Sequence, residues 1–216
     1  MLETRASIRT ATPSDSDFLG WAILIAARSQ LDKGWFDIVL EGTESARLNF
    51  LRRLTLTSAR SWWHYSRFFV AEIDGARAAA LSAFRAGEAY PLSQAAMSEV
   101  AKELGCSEAE KQAMWKRGAY IFGCTLDTDQ DAWTIENVAT APRYRGRGIA
   151  GQLLDHAIAE AQRNGAHRAQ VTFLMGNDAA ERAYSKAGFM LADERQDAAF
   201  EAACGAPGLR RYTRDL

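Results

Sequence analysis

Ser7-Ile8-Arg9-Thr10-Ala11 alternates polar and apolar side chains and stops at Thr12-Pro13, the pattern of a short strand. Ser14-Asp15-Ser16-Asp17 offers cap oxygens before an apolar segment over 18–27, which predicts a helix. Gly34 and Gly42 bracket a looser, apolar stretch at 35–40, and Phe50, Leu51, Leu54 and Leu56 suggest a second helix over 43–63. Residues 68–73 and 76–84 read as strands joined by Asp74-Gly75, a two-residue hairpin turn. The strand pattern is then interrupted from Arg85 to Asp131. Met97, Val100, Ala101 and Leu104 recur there at helical spacing, and Ser107-x-x-Glu110 is a capping box that opens another short helix.

The last third is more regular. A strand is predicted over 133–140, a helix over 149–163 with Ile149, Leu153, Ala157 and Ala161 on one stripe, and a strand over 168–174. Asn177 caps a helix running to Ala187, and 189–192 and 209–213 read as closing strands. The expected fold is α/β: a mixed, mostly antiparallel sheet of six or seven strands with helices on both faces. We read residues 1–216 as a single domain with a helical insertion at about 85–131.

Composition narrows the function classes. The 216 residues carry 26 Lys+Arg against 27 Asp+Glu, so no electrostatic argument favours nucleic acid or an anionic membrane as partner. The longest apolar run, at 21–27, is far short of the roughly 20 residues that span a bilayer, and Met1-Leu2-Glu3-Thr4-Arg5 opens no secretory pattern. Cys106, Cys124 and Cys204 are odd in number and widely spaced, which reads as reduced thiols in a cytoplasmic protein. His64, His156 and His167 are equally scattered, so no metal is expected. Asp127, Asp129 and Asp131 begin a calcium-loop pattern, but Ala132 and Val138 stand where that loop needs Gly and Glu. These aspartates read as a solvated acidic loop. The cluster Trp62-Trp63-His64-Tyr65 reads first as core packing, with an acceptor pocket as the alternative.

The segment carrying chemistry is Ala141-Pro142-Arg143-Tyr144-Arg145-Gly146-Arg147-Gly148-Ile149-Ala150-Gly151, between a strand and a helix. Its glycines let backbone N–H groups approach a ligand, and a helix N-terminus favours phosphate. Gly146, Gly148 and Gly151 also match G-x-G-x-x-G. A dinucleotide site, however, expects an acidic residue ending the next strand, and 168–174 has none.

Val138-x-x-x-Pro142-x-x-Arg145-Gly146-Arg147-Gly148-Ile149-Ala150 resembles the acyl-CoA signature R/Q-x-x-G-x-G/A of the GNAT superfamily of N-acetyltransferases, with Arg145, Gly148 and Ala150 in the defining places. A second block, Asn177 to Phe189, is similar to the family's N-x-x-A-x-x-x-Y-x-K-x-G-F helix. Together the two cover somewhat under a third of the chain. The resemblance implies acetyl-CoA as co-substrate and no metal. It implies a strand that splays from its neighbour, with Val138, Ala139 and Thr140 contacting the pantetheine through the backbone. It places the pyrophosphate on Arg145, Gly146, Arg147, Gly148, Ile149, Ala150 and Gly151, and gives Asn177 a hydrogen bond to the pantetheine arm. Tyr184 would protonate the leaving thiolate, and Glu136 would serve as base or water-orienting group. Thr172 stands where some members carry an acid. Strand alternation is expected to put Glu136 on the face of Val138 and Thr140. The implied reaction is acetyl transfer to a primary amine by direct attack, the alternative being an acyl-CoA-binding sensor without turnover. The expected partner is a small-molecule or peptide amine, with a homodimer left open. Residues 15–66 and 85–131, which would build the acceptor side, match no pattern.

Overall fold

In a computed structural model, residues 5–216 are described; the N-terminal stretch up to Thr4, where no secretory pattern was read, lies outside them. Seven strands form one sheet in the order β1-β2-β3-β4-β5-β7-β6. They are β1 (Ser7–Thr10), β2 (Phe68–Ile73), β3 (Ala76–Arg85), β4 (Trp133–Thr140), β5 (Arg168–Leu174), β6 (Met190–Gln196) and β7 (Gly208–Asp215). Every pairing is antiparallel except β4 with β5. Asp74 and Gly75 both adopt left-handed backbone, φ 51° and 74°, as a primed hairpin turn requires.

One face of the sheet is covered by α1 (Ser16–Arg28) and α3 (Glu44–Leu54). The apolar stripe of α1, Leu19, Ile23 and Leu24 among it, is fully buried there. Gly20 lets the two helices cross closely, because a Cβ at that position would lie 2.9 Å from the Arg52 backbone nitrogen. Helix α7 (Ile149–Arg163) packs its stripe of Ile149, Leu153, Ala157 and Ala161 on the opposite face, with α8 (Asp178–Lys186) beside it. Between β3 and β4 the chain forms α4 (Ala86–Ala89), α5 (Ser93–Glu103) and α6 (Glu108–Gly118), the last opened by the expected Ser107–Glu110 capping box.

Three expectations change. The helix read over 43–63 ends at Leu54, because the hydroxyls of Thr55 and Thr57 donate to the carbonyls of Arg52 and Leu54 and compete with helix continuation. The apolar stretch at 35–40 is a short helix, α2 (Trp35–Val39). The closing strands extend to Gln196 and Asp215, with α9 (Ala198–Cys204) between them, capped by Asp197 through the Phe200 N–H (2.7 Å). The run Asp193-Glu194-Arg195-Gln196 reads as loop because every residue of β6 is exposed; charges along an edge strand discourage pairing with other chains. Among the described residues no helix is long and apolar enough to cross a membrane.

Asp15 joins the sheet to α1. Its fully buried carboxylate takes both arms of Arg9 from β1 (2.8 and 3.0 Å), Nε of Arg77 from β3 (2.5 Å) and the Thr12 N–H (2.8 Å). The bond from Arg9 is the main reason its pKa lies far below the usual carboxylate range, against the cost of burial. Asp15→Ala leaves Arg77 without its carboxylate and Arg9 with Glu72 alone, and is expected to cost about 2 kcal/mol in denaturant unfolding. Because the folded carboxyl is the stronger acid, its stabilisation is complete above the ordinary carboxylate pKa and drains as pH falls toward the depressed folded value. The variant should lack that acid-side loss.

Candidate active site

The site begins with one residue in β4. Ala80 faces Ala139 and Ser82 faces Glu136, so Leu81 alone opposes both Asn137 and Val138, a β-bulge. Asn137 takes left-handed backbone (φ 54°), which asparagine tolerates better than most residues, and its amide donates to Ser82 Oγ (3.0 Å). Pairing of β4 with β5 stops at Ile135–Val171. Beyond that point the strands part, and residues from Ile135 to Thr140 and from Val171 to Leu174 line opposite sides of a cavity of about 1100 Å³.

The bulge also corrects the expected alternation. Ala139 packs with α1 and α3, whereas Val138 packs on the α7 side. Glu136 accepts from the Tyr90 hydroxyl (2.7 Å), whose ring stacks edge-on against Trp62 and Phe84 on the α1 side. Glu136 and Ala139 therefore share a face, and Val138 lies on the other, because the extra residue at Asn137 shifts the pleat by one.

At the end of the opening, Gly146 and Gly148 hold left-handed backbone (φ 74° and 75°), and a Cβ on either, or on Gly151, would meet nothing within 4 Å. Helix α7 starts at Ile149, and its first backbone bond runs from the Gln152 N–H to Gly148 (3.2 Å). The amides before it, including those of Ile149, Ala150 and Gly151, have no helical acceptor and sit at the positive end of the helix dipole. Arg145 donates to the Thr140 carbonyl (3.3 Å), while Arg143 and Arg147 lie 4.7 and 5.5 Å from the Tyr144 ring centre. A chain of phosphates fits this concave, cationic turn.

Two ionisable side chains reach the gap from opposite faces. Tyr184, 6% exposed on α8, packs between Phe173 and Phe189, and its hydroxyl has no hydrogen-bond partner among the described residues. Burial first, and the Glu136 charge second, push its pKa well above the usual phenol value. Glu136 is raised to about 7 by burial; the Tyr90 hydrogen bond and the Arg211 charge pull it partly back. A carboxyl poised there is half-ionised at neutral pH, which suits a general base.

Most residues singled out in the sequence meet at this cavity. Glu136, Val138, Ala139, Thr140, Arg145, Ala150, Asn177 and Tyr184 line it, and Gly146, Arg147, Gly148, Ile149 and Gly151 form the turn at its end. Asn177 is already engaged: its oxygen caps α8 through the Ala180 N–H (3.0 Å) and its amide donates to Ser29. The aromatic cluster divides. Trp62 and Trp63 line the cavity, while His64, buried and bonded to Ser66 (2.7 Å), has its pKa lowered to about 4, mainly by burial. Sequence reasoning missed Tyr90 and Arg211. Tyr90 lies in the patternless insertion, and Arg211 looks like any charged residue of an alternating strand. Yet Arg211 is 8% exposed and donates to the carbonyls of Leu126 (3.3 Å) and Asp127 and to Thr172 Oγ1 (3.4 Å).

A sheet parted between the parallel strands β4 and β5, with an amide-rich helix start at the opening, is the arrangement that the resemblance to the acetyltransferases implied. The acetyltransferase (GNAT) family matches residues 36–189, and the chain belongs to that family. No curated protein matches the chain in sequence. Among solved structures it is similar to an acetyltransferase (20% identity over 97% of this chain and 99% of that one, TM-score 0.73). It is also similar to an N-acetyltransferase from Staphylococcus aureus Mu50 (20%, 97% and 100%, TM-score 0.68). A third is yncA, a putative acetyltransferase from Salmonella typhimurium with its cofactor acetyl-CoA (15%, 98% and 94%, TM-score 0.54). These likenesses show the fold.

Two measurements probe the geometry. Gly148→Val forces a β-branched residue into left-handed backbone and so distorts the turn that presents the amides; CoA affinity by calorimetry should fall at least ~10-fold in a protein that still folds. Because the Tyr90 hydroxyl holds the Glu136 pKa down, Tyr90→Phe should move the acid limb of the pH–rate profile upward by up to ~1 pH unit. A merely structural Tyr90 would lower the rate without moving the limb.

Proposed function

We propose that this enzyme transfers an acetyl group from acetyl-CoA directly to a primary amine. The observation that carries the reading is that Glu136 and Tyr184 face one gap from opposite sides of the sheet, with the phosphate-suited turn at its end. The backbone of Val138, Ala139 and Thr140, freed from β5, would bind the pantetheine amides as an added strand does. The amides of 146–151 with Arg145 and Arg147 would hold the pyrophosphate, and Asn177 has a spare amide hydrogen for the pantetheine arm. Acetyl-CoA supplies the activated acetyl group; the remaining chemistry is proton movement.

An amine arriving as ammonium must lose a proton before it attacks the thioester carbonyl. Glu136 takes that proton, directly or through water. The amine nitrogen then bonds to the acetyl carbon as the carbon–sulfur bond breaks, the Tyr184 hydroxyl donates to the departing sulfur, and the second proton that the nitrogen sheds in becoming an amide returns through water to the Tyr184 oxygen. The high pKa of Tyr184 keeps it protonated at every working pH. Burial disfavours a thiolate as it does a phenolate, so transfer is less uphill than the raised Tyr184 set against an ordinary thiol suggests.

Turnover at saturating substrates should rise with pH up to about 7 and level off above it, as Glu136 ionises. Glu136→Gln should lose that limb, fall about 100-fold at pH 7 and recover in part at higher pH as free amine becomes abundant. Tyr184→Phe should lower kcat about 100-fold with CoA affinity nearly unchanged, because the ring and its packing remain. Stopped CoA release assays across pH check both. Acetyl-CoA binding without turnover of any amine would favour a sensor instead.

A further inference from the structure

Besides the turn and the β4–β5 gap, the cavity is walled by Trp35, Trp62, Tyr90, Trp115, Tyr120 and Phe122, which together make an aromatic chamber. Several of these side chains have spent their polar atoms on the protein. The Trp62 indole donates to Ser93 Oγ (2.9 Å), that of Trp35 to the Gly118 carbonyl (3.3 Å), and the Tyr90 hydroxyl to Glu136 (2.7 Å). They therefore turn ring carbon toward the chamber. At its rim Trp115 is 40% exposed and Phe122 72%, large apolar groups left in water.

The charge in the chamber is one-sided. Among the described residues Glu136 is the one acidic residue lining the whole cavity, and with Arg145 at the phosphate-suited turn the chamber's own cations are Lys33 and Arg211. Asp127 and Asp129 are not among its lining residues, and the Asp129 carboxylate lies 3.9 Å from Arg168. No carboxylate pairs with Arg211 among the described residues. A diamine or polyamine would leave its second cation among rings and like charges. The rings attract a cation by up to about 2 kcal/mol, less than a desolvated ammonium loses without a carboxylate.

We propose that the acceptor is an aromatic or similarly apolar monoamine, whose amino group at Glu136 is its sole cation. The proposal rests on the acetyl-transfer reading of the same cavity and names the acceptor class for it. The rings would bury the body of such an amine, while Glu136 and the ring faces hold its ammonium until the proton leaves.

The test compares phenethylamine and tryptamine with spermidine under saturating acetyl-CoA, following released thiol, with acetyl-CoA binding measured separately by calorimetry. The aromatic amines should show at least ~10-fold higher kcat/KM than spermidine. Trp115→Ala, at the solvent-facing rim, should raise their KM about 5-fold while the CoA dissociation constant stays within about 2-fold. Lys33→Glu, on an exposed loop, should shift the preference toward spermidine by about 3-fold. Spermidine used as well as the aromatic amines, or aromatic amines that neither turn over nor bind the acetyl-CoA-loaded protein at millimolar concentration, would overturn the proposal and leave acetyl transfer standing. Failure of acetyl-CoA to bind would instead remove the transfer reading. Phenethylamine quenching of tryptophan fluorescence in the free protein, lost in Trp115→Ala, would then still decide whether the chamber takes an apolar amine.

Discussion

The left-handed backbone at Asn137 is the constraint on which the rest of the site depends. One extra residue in β4 reverses which face each later side chain meets, and beyond Ile135 the strand keeps β3 on one edge while its β5-facing edge has no strand partner. An asparagine there costs about 1 kcal/mol in backbone conformation, roughly what its buried hydrogen bond to Ser82 returns. The opening is thus held at little net cost to the fold. It also explains why Glu136 and Val138, two residues apart, serve different surfaces: one presents a side chain to the chamber, the other a peptide to the gap.

The cofactor half of the site was legible in the sequence because it is made of backbone, and backbone geometry leaves marks in composition. Gly146 and Gly148 are glycines because the turn needs left-handed residues with open space beside them, and the stripe from Ile149 to Ala161 announces the helix whose N-terminus faces that space. The strand and helix limits at 133–140, 149–163 and 168–174 follow from the same regularity. The alternation argument for Glu136 failed at the single point where the strand is irregular. Asn137, the one residue of the run with a strong tolerance for left-handed backbone, was the visible hint of a bulge.

The acceptor half was illegible for the opposite reason. Its walls are side chains drawn from α2, the loop before β2, the turn after α4, α6 and the segment following it, and no local pattern links them. Tryptophans at 35, 62 and 115 look like ordinary core candidates one at a time. Only the fold shows that their indole N–H groups, where bonded, point into protein and their rings into the cavity. Arg211 is similar: a charge in an alternating strand becomes, on folding, a buried clamp on the loop carbonyls of Leu126 and Asp127.

The two halves meet at Glu136, and its acidity is a balance of both. Burial beneath the insertion pushes the carboxyl up, as any desolvated acid is pushed. Left to burial alone it would remain protonated at neutral pH and could take nothing from an ammonium. Tyr90 from the insertion and Arg211 from β7 bring it back to about 7, where it is basic enough to accept a proton and ionised often enough to do so. The helical insertion that shapes the acceptor chamber thereby also sets the strength of the base, so a change in chamber wall at Tyr90 is bound to alter acceptor fit and pH response together.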